Sequence, residues 1–185
     1  MLALDQQLFT WLHGLLAAPT LSWLLYGVTW LGNGFVLALL ILPAMAWRDR
    51  PSLRAHLIPM VVSVAATGAL VNVAKIVFGR ERPPVWAALQ GLEVHVPFGL
   101  PTDKSFPSGH SQTAFGTAVY LSLIYPKAAP IFLTLGVLVG LSRIGLGVHF
   151  PGDVLVGAAI GSVGSVVGYR WAVRRRERSV ERSQA

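Results

Sequence analysis

The chain of 185 residues has no cysteine. Disulfides, thiolate metal sites and cysteine nucleophiles are therefore excluded. Charge is scarce as well. Only 12% of the residues are Asp, Glu, Lys or Arg, against about 25% in an ordinary soluble domain. Acids are the scarcer sign, 8 against 15 basic residues. No linker, low-complexity tract or internal repeat is visible, so one compact domain is expected. The N-terminus lacks a basic n-region, and Asp5, Gln6 and Gln7 come too early for a cleavable signal sequence.

Apolar residues take up the difference. They make up 54% of the chain, and the mean hydropathy is +0.59. That is too apolar for a water-soluble protein of this size. It suits several helices in lipid, each needing ~20 mostly apolar residues to span. The expected fold is all-α, a polytopic membrane helix bundle. The net charge of +7 then reflects basic anchors in cytoplasmic loops, and no nucleic-acid partner is expected.

Leu4–Leu16 is too short and too polar to span. It reads as a short N-terminal interfacial helix or as a cap on the bundle. Five stronger transmembrane segments follow: Leu21–Trp47, interrupted at Gly32–Gly34; Leu53–Phe78; Ser108–Tyr125; Ala128–Gly147; and Pro151–Val173. A polar, proline-rich loop, Gly79–Pro107, separates the second and third, and loops of that length usually have a job. Residues 1–173 form the membrane domain in this reading, and 174–185 a basic cytoplasmic tail. The six tryptophans, Trp11, Trp23, Trp30, Trp47, Trp86 and Trp171, fit interfacial belts.

In this five-span layout ten basic residues share one side: Arg48, Arg50, Arg54, Lys127, Arg170, Arg174, Arg175, Arg176, Arg178 and Arg182. The positive-inside rule makes that side cytoplasmic. The other five, Lys75, Arg80, Arg82, Lys104 and Arg143, lie at or near the outer side and need another reason. Lys104 fits a headgroup anchor. Arg80 fits an anchor or a second contact to phosphate. His13, His56 and His95 have no partner by spacing and read as structural.

Three outer pieces carry chemistry: "KIVFGRERP" (Lys75–Pro83), "PSGH" (Pro107–His110) and "SRIGLGVHFPGD" (Ser142–Asp153). The topology brings them to one face. Ser108 suits an N-cap, and Gly109 lets a ligand approach the backbone. Helix N-termini with Lys75, Arg82 and Arg143 make an anion cradle. His149 stands four residues before Asp153, which can hold one ring nitrogen and leave the other to attack. His110 can protonate a leaving oxygen. Nucleophile, orienting acid, proton donor and clamp together suit phosphoryl transfer. Glu81, Glu93, Asp103 and Asp153 are scattered among cations, so neither a metal nor another cofactor is expected.

"K75-x6-R82-P83", "P107-S108-G109-H110" and "S142-R143-x5-H149-x3-D153" together resemble the three signature motifs of the type 2 phosphatidic acid phosphatase superfamily, in the right order. The resemblance implies a small bacterial membrane lipid phosphatase working without metal. His149 would become a phosphohistidine, Asp153 would orient it, and His110 would protonate the departing lipid oxygen and then help activate water. Lys75, Arg82, Ser108, Gly109 and Arg143 would bind phosphate. The expected reaction is hydrolysis of a lipid phosphate or pyrophosphate at the outer leaflet of the cytoplasmic membrane. Undecaprenyl pyrophosphate is the first candidate, ahead of phosphatidylglycerophosphate, phosphatidic acid and lipid A phosphates. A phosphotransferase of the same fold and a non-catalytic lipid-binding protein are the alternatives. New phosphorylated lipid would mark the first, and binding without turnover the second.

Overall fold

The computed structural model describes residues 2–184, and among these it contains helices and no strand. In chain order the helices are α1 (Leu2–Leu16), α2 (Pro19–Thr29), α3 (Gly34–Arg48), α4 (Arg50–Phe78), α5 (Pro83–Leu89), α6 (Gly109–Ile124), α7 (Ala129–Gly145) and α8 (Pro151–Gln184). Three stretches, 50–89, 126–145 and 151–178, are long and apolar enough to cross a membrane. α1 and α2 meet at 109° and add a fourth if they count as one broken span. Length and composition alone therefore support three spans, or four.

The expected first span, Leu21–Trp47, is split where "GNG" interrupts it. Asn33 is extended, and its Oδ1 accepts from the Phe35 and Val36 amides at 2.9 and 3.3 Å. This N-cap starts α3 afresh. Gly32 permits a close approach just before it. A Cβ there would lie 2.9 Å from both His110 Cβ and Val139 Cγ1.

α6 is central. It packs against α4, α7 and α8, and its small and polar residues Ser111, Gln112, Gly116 and Thr117 are buried. Protein, more than lipid, surrounds it. Its buried polar groups are accordingly partnered: Gln112 Nε2 donates to Thr67 Oγ1 at 2.7 Å and to the Val64 carbonyl at 3.1 Å. α8 fits closely because of a glycine stripe. Side chains at Gly157 and Gly161 would strike the α6 backbone, and at Gly164 and Gly168 they would strike Thr67 and Ser63 of α4. Small residues at such positions let membrane helices pack by van der Waals contact.

These antiparallel runs set two ends. α4 and α7 finish where α6 and α8 begin. α4 stops at Gly79, left-handed at φ +58°, whose N–H returns to the Lys75 carbonyl at 3.1 Å. At the opposite end Asp49 caps α4, and the Tyr125 hydroxyl donates to its Oδ2 at 3.0 Å. His56 lies 3.3 Å from the Tyr120 hydroxyl and stacks on Tyr169, so its setting is structural. Arg48, Arg50 and Arg54 gather at this end, and the basic run after Val173 continues α8. The Arg182 side chain and Ala185 lie outside the described residues.

Candidate active site

His149 sits in the turn between α7 and α8 and is 2% exposed. The turn is held from below, since the Val148 and His149 amides both donate to the Arg143 carbonyl, at 3.2 and 3.3 Å. Gly147 makes the tight bend at φ +73°, where a Cβ would meet the His95 carbonyl at 2.8 Å. The two ring nitrogens face different groups. Nδ1 is 3.4 Å from Asp153 Oδ2, and Nε2 is 3.3 Å from Arg82 Nη1. Burial pushes the His149 pKa down to about 4 despite Asp153, so the imidazole is neutral at pH 7. Neutral, with Nδ1–H toward Asp153, the ring carries its lone pair on Nε2, where it accepts from Arg82 Nη1.

Asp153 lies in the first turn of α8 and is fully buried. Its Oδ2 accepts from the Ser105 hydroxyl at 2.5 Å and from the Phe150 amide at 2.9 Å. Its Oδ1 accepts from Arg80 Nη1 at 2.8 Å. Arg80, expected as an anchor or a second phosphate contact, thus pairs with the carboxylate beside His149. Its second nitrogen binds Asp5 at 2.7 Å, and its guanidinium lies 4.0 Å from the centre of the Phe150 ring.

Arg82 precedes α5 and is 4% exposed. It reaches the Val148 carbonyl at 2.7 Å, the Asp103 carbonyl at 2.8 Å and Asp103 Oδ1 at 2.6 Å. Lys75, in the last turn of α4, pairs with the other Asp103 oxygen and donates to the Lys104 carbonyl at 2.8 Å. One half-exposed loop carboxylate therefore bridges two buried cations. Burial opposes ionisation of Asp103, but hydrogen bonds and charge from Lys75 and Arg82 prevail and hold its pKa at about 2. Lys104, expected at a headgroup, pairs with Glu81.

Ser108 caps α6 as expected. Its Oγ accepts from the Ser111 hydroxyl at 3.0 Å and from the Ser111 amide at 3.4 Å, while its own N–H donates to the Asp153 carbonyl at 3.0 Å. Gly109 opens the helix, and a Cβ there would only touch Val71 Cγ1 at 4.0 Å. His110, beside Gly32, has no hydrogen-bond partner among the described residues, and charges on Arg143, Lys75 and Arg82 act on its ring. Arg143 is 7% exposed. One arm donates to Thr29 Oγ1 at 2.7 Å, and its buried Nε has no partner among the described residues. A buried guanidinium N–H left unpaired is costly unless a ligand supplies an acceptor.

Four contributors escaped the sequence reading in these roles: Asp5, Arg80, Asp103 and Ser105. Trp86, expected in an interfacial belt, packs edge-on against Phe150, ring centres 5.7 Å apart. A signal existed for Asp5, because a carboxylate inside an apolar segment demands a partner. Arg80 was visible but indistinguishable by spacing from Arg82.

No group of three or more His, Cys, Asp or Glu is placed to hold a metal ion among the described residues. The arrangement offers a neutral, oriented imidazole, a second imidazole, and three buried cations. Such a set can bind a tetrahedral anion and accept its central atom on nitrogen.

Residues 56–177 match the model of the PAP2 superfamily. Lipid A 1-phosphatase of Rhizobium johnstonii is 34% identical over 101 residues, which cover 54% of this chain and 41% of that protein. Undecaprenyl-diphosphatase of Sulfolobus acidocaldarius is 38% identical over 104 residues, covering 54% of this chain and 50% of the relative. The chain thus spans half or less of the length of these relatives. The crystal structure of a transmembrane PAP2 type phosphatidylglycerolphosphate phosphatase from Bacillus subtilis superposes with a TM-score of 0.72 at 26% identity, covering 93% of this chain and 86% of that one.

Proposed function

The chain belongs to the PAP2 superfamily, and on that premise we propose that this integral membrane protein is a metal-independent lipid phosphatase. His149 Nε2 attacks phosphorus as the bond to the lipid oxygen breaks, and His110, protonated once the bound phosphate anion offsets the cations around it, gives that oxygen its proton. The products are the freed lipid and a phosphohistidine. Water then attacks phosphorus, His110 takes its proton, the P–N bond breaks, and inorganic phosphate leaves. Asp153 keeps His149 in the attacking tautomer and offsets the charge its ring gains. Lys75, Arg82, Arg143 and the Ser108–Gly109 turn hold the phosphate oxygens. The reading is carried by one observation: His149 with Asp153 on one nitrogen and Arg82 on the other.

The substrate is a lipid phosphate or pyrophosphate, with undecaprenyl pyrophosphate the first candidate. The names of the relatives span three lipids, so headgroup phosphate is the shared feature. Apolar grooves of about 200 and 230 Å³ flank α3, and Leu31, Gly34 and Thr113 line their ends near His110. They suit a chain entering sideways from the bilayer. Five spans, with α3 and α6 completed by flanking residues, put the site outside and residues 174–185 in the cytoplasm. The membrane unit is then 1–173.

Substrate phosphate must displace the Asp103 carboxylate from Lys75 and Arg82. Asp103→Asn is accordingly expected to lower KM about fivefold, equivalent to about 1 kcal/mol, and to strengthen inhibition by inorganic phosphate. Steady-state assays check both, and a raised KM would contradict the displacement. The test of the function itself is phosphate release in detergent with EDTA present. The panel holds undecaprenyl pyrophosphate, phosphatidylglycerophosphate, phosphatidic acid and lipid A. Release from at least one supports the reading. No release from any, loss with EDTA, or a new phosphorylated lipid in place of free phosphate would overturn it.

A further inference from the structure

Asp5 belongs to the first turn of α1 and lies outside the stretch matched to the family. It nevertheless joins the site through two bonds. Its Oδ2 accepts from Arg80 Nη2 at 2.7 Å, and its Oδ1 accepts from the Gly152 amide at 2.7 Å. Arg80 reaches onward to Asp153 Oδ1, and Gly152 is the residue before Asp153. Asp5 is therefore linked to Asp153 by two routes, through the Arg80 side chain and through the backbone of the α8 N-terminus. The Asp5 and Arg80 side chains are only 16% and 17% exposed. Gly152 is needed for this contact, since a Cβ there would lie 2.8 Å from Asp5 Oδ2.

The rest of α1 is seated to match. Phe9 is 1% exposed and packs edge-on against Phe150, the residue after His149, at 5.2 Å. His13 Nδ1 lies 3.2 Å from the Ile144 carbonyl. The helix thus rests on the turn that carries His149.

We propose that α1 is a working part of the active site, with Asp5 a positioning residue that acts through Arg80 and Gly152 to hold the Asp153 carboxylate against His149. The inference rests on the phosphatase reading above. Its chemistry is a division of charge. Asp5 and Asp153 share the Arg80 cation, which leaves Asp153 anionic enough to support the His149 ring as that ring gains charge. Without Asp5, Arg80 belongs wholly to Asp153, and the Gly152 amide loses its acceptor. The phosphate clamps Lys75, Arg82 and Arg143 make no hydrogen bond to Asp5. The defect should therefore appear in turnover and not in substrate capture.

The test compares the full chain, Asp5→Asn, Arg80→Gln and the double variant in detergent, using the best lipid of the panel. Asp5→Asn is expected to lower kcat about tenfold with KM within about twofold. The double variant should be no slower than Arg80→Gln alone, because both residues act on one carboxylate. If Asp5→Asn does not fold, Gly152→Ala keeps every charge while pushing the Asp5 carboxylate away, and the same kcat loss is expected. Unchanged kcat in a folded variant, or a rise in KM at constant kcat, overturns the inference while the active wild type keeps the phosphatase reading. A wild type that releases no phosphate overturns both.

Discussion

His149→Ala is expected to release no phosphate above background from any lipid, a loss of about 10⁴-fold or more in kcat. The magnitude follows from the group removed. Among the described residues of the site, this imidazole alone has a carboxylate on its far side, at 3.4 Å. The residual cradle of Lys75, Arg82 and Arg143 can still bind phosphate, so the variant should retain lipid while failing to turn it over. Measuring binding beside phosphate release separates this outcome from misfolding. A variant working as well as wild type would remove the nucleophile from the account.

The second large effect belongs to His110. Its replacement by Ala is expected to lower kcat on a lipid phosphate about 10²- to 10⁴-fold, because an alkoxide leaves poorly without a proton. An aryl phosphate such as p-nitrophenyl phosphate has a leaving group that departs unaided, so the first step should survive. The second step still needs His110 to take a proton from water. His110→Ala should therefore show a burst of one nitrophenolate per enzyme, followed by slow turnover. Stopped-flow absorbance reads the burst directly. Equal losses on lipid and aryl phosphate, without a burst, would show that His110 does not serve as the acid.

Much of this site was legible from the chain. The five-span topology assigned Lys75, Arg82, Ser108, His110, Arg143, His149 and Asp153 to one membrane face, and α6 is capped by Ser108 while α8 begins at Pro151. These cues are local, and local capping chemistry survives in any surrounding. Asp5 and Arg80 lie 75 residues apart, and no helical period links them. Asp103 and Ser105 occupy an irregular loop, where spacing carries no geometric meaning until the ends are fixed. Hydropathy located the segments, of which length and composition support three spans, or four with the broken pair. α6 is only 16 residues long and buried by its neighbours, and α3 is a 15-residue helix begun anew at Asn33. A length rule for lipid-exposed helices does not describe a helix that other helices enclose.

The most direct test of the account is to trap the covalent intermediate. His110→Ala, mixed with p-nitrophenyl phosphate and quenched in alkali, should carry an acid-labile phosphoryl group. Peptide mapping by mass spectrometry should place it on His149, and it should be absent from the His149→Ala, His110→Ala double variant. A phosphoryl group on another residue, or none on His149 while phosphate is still being released, would contradict histidine-based phosphoryl transfer at this site.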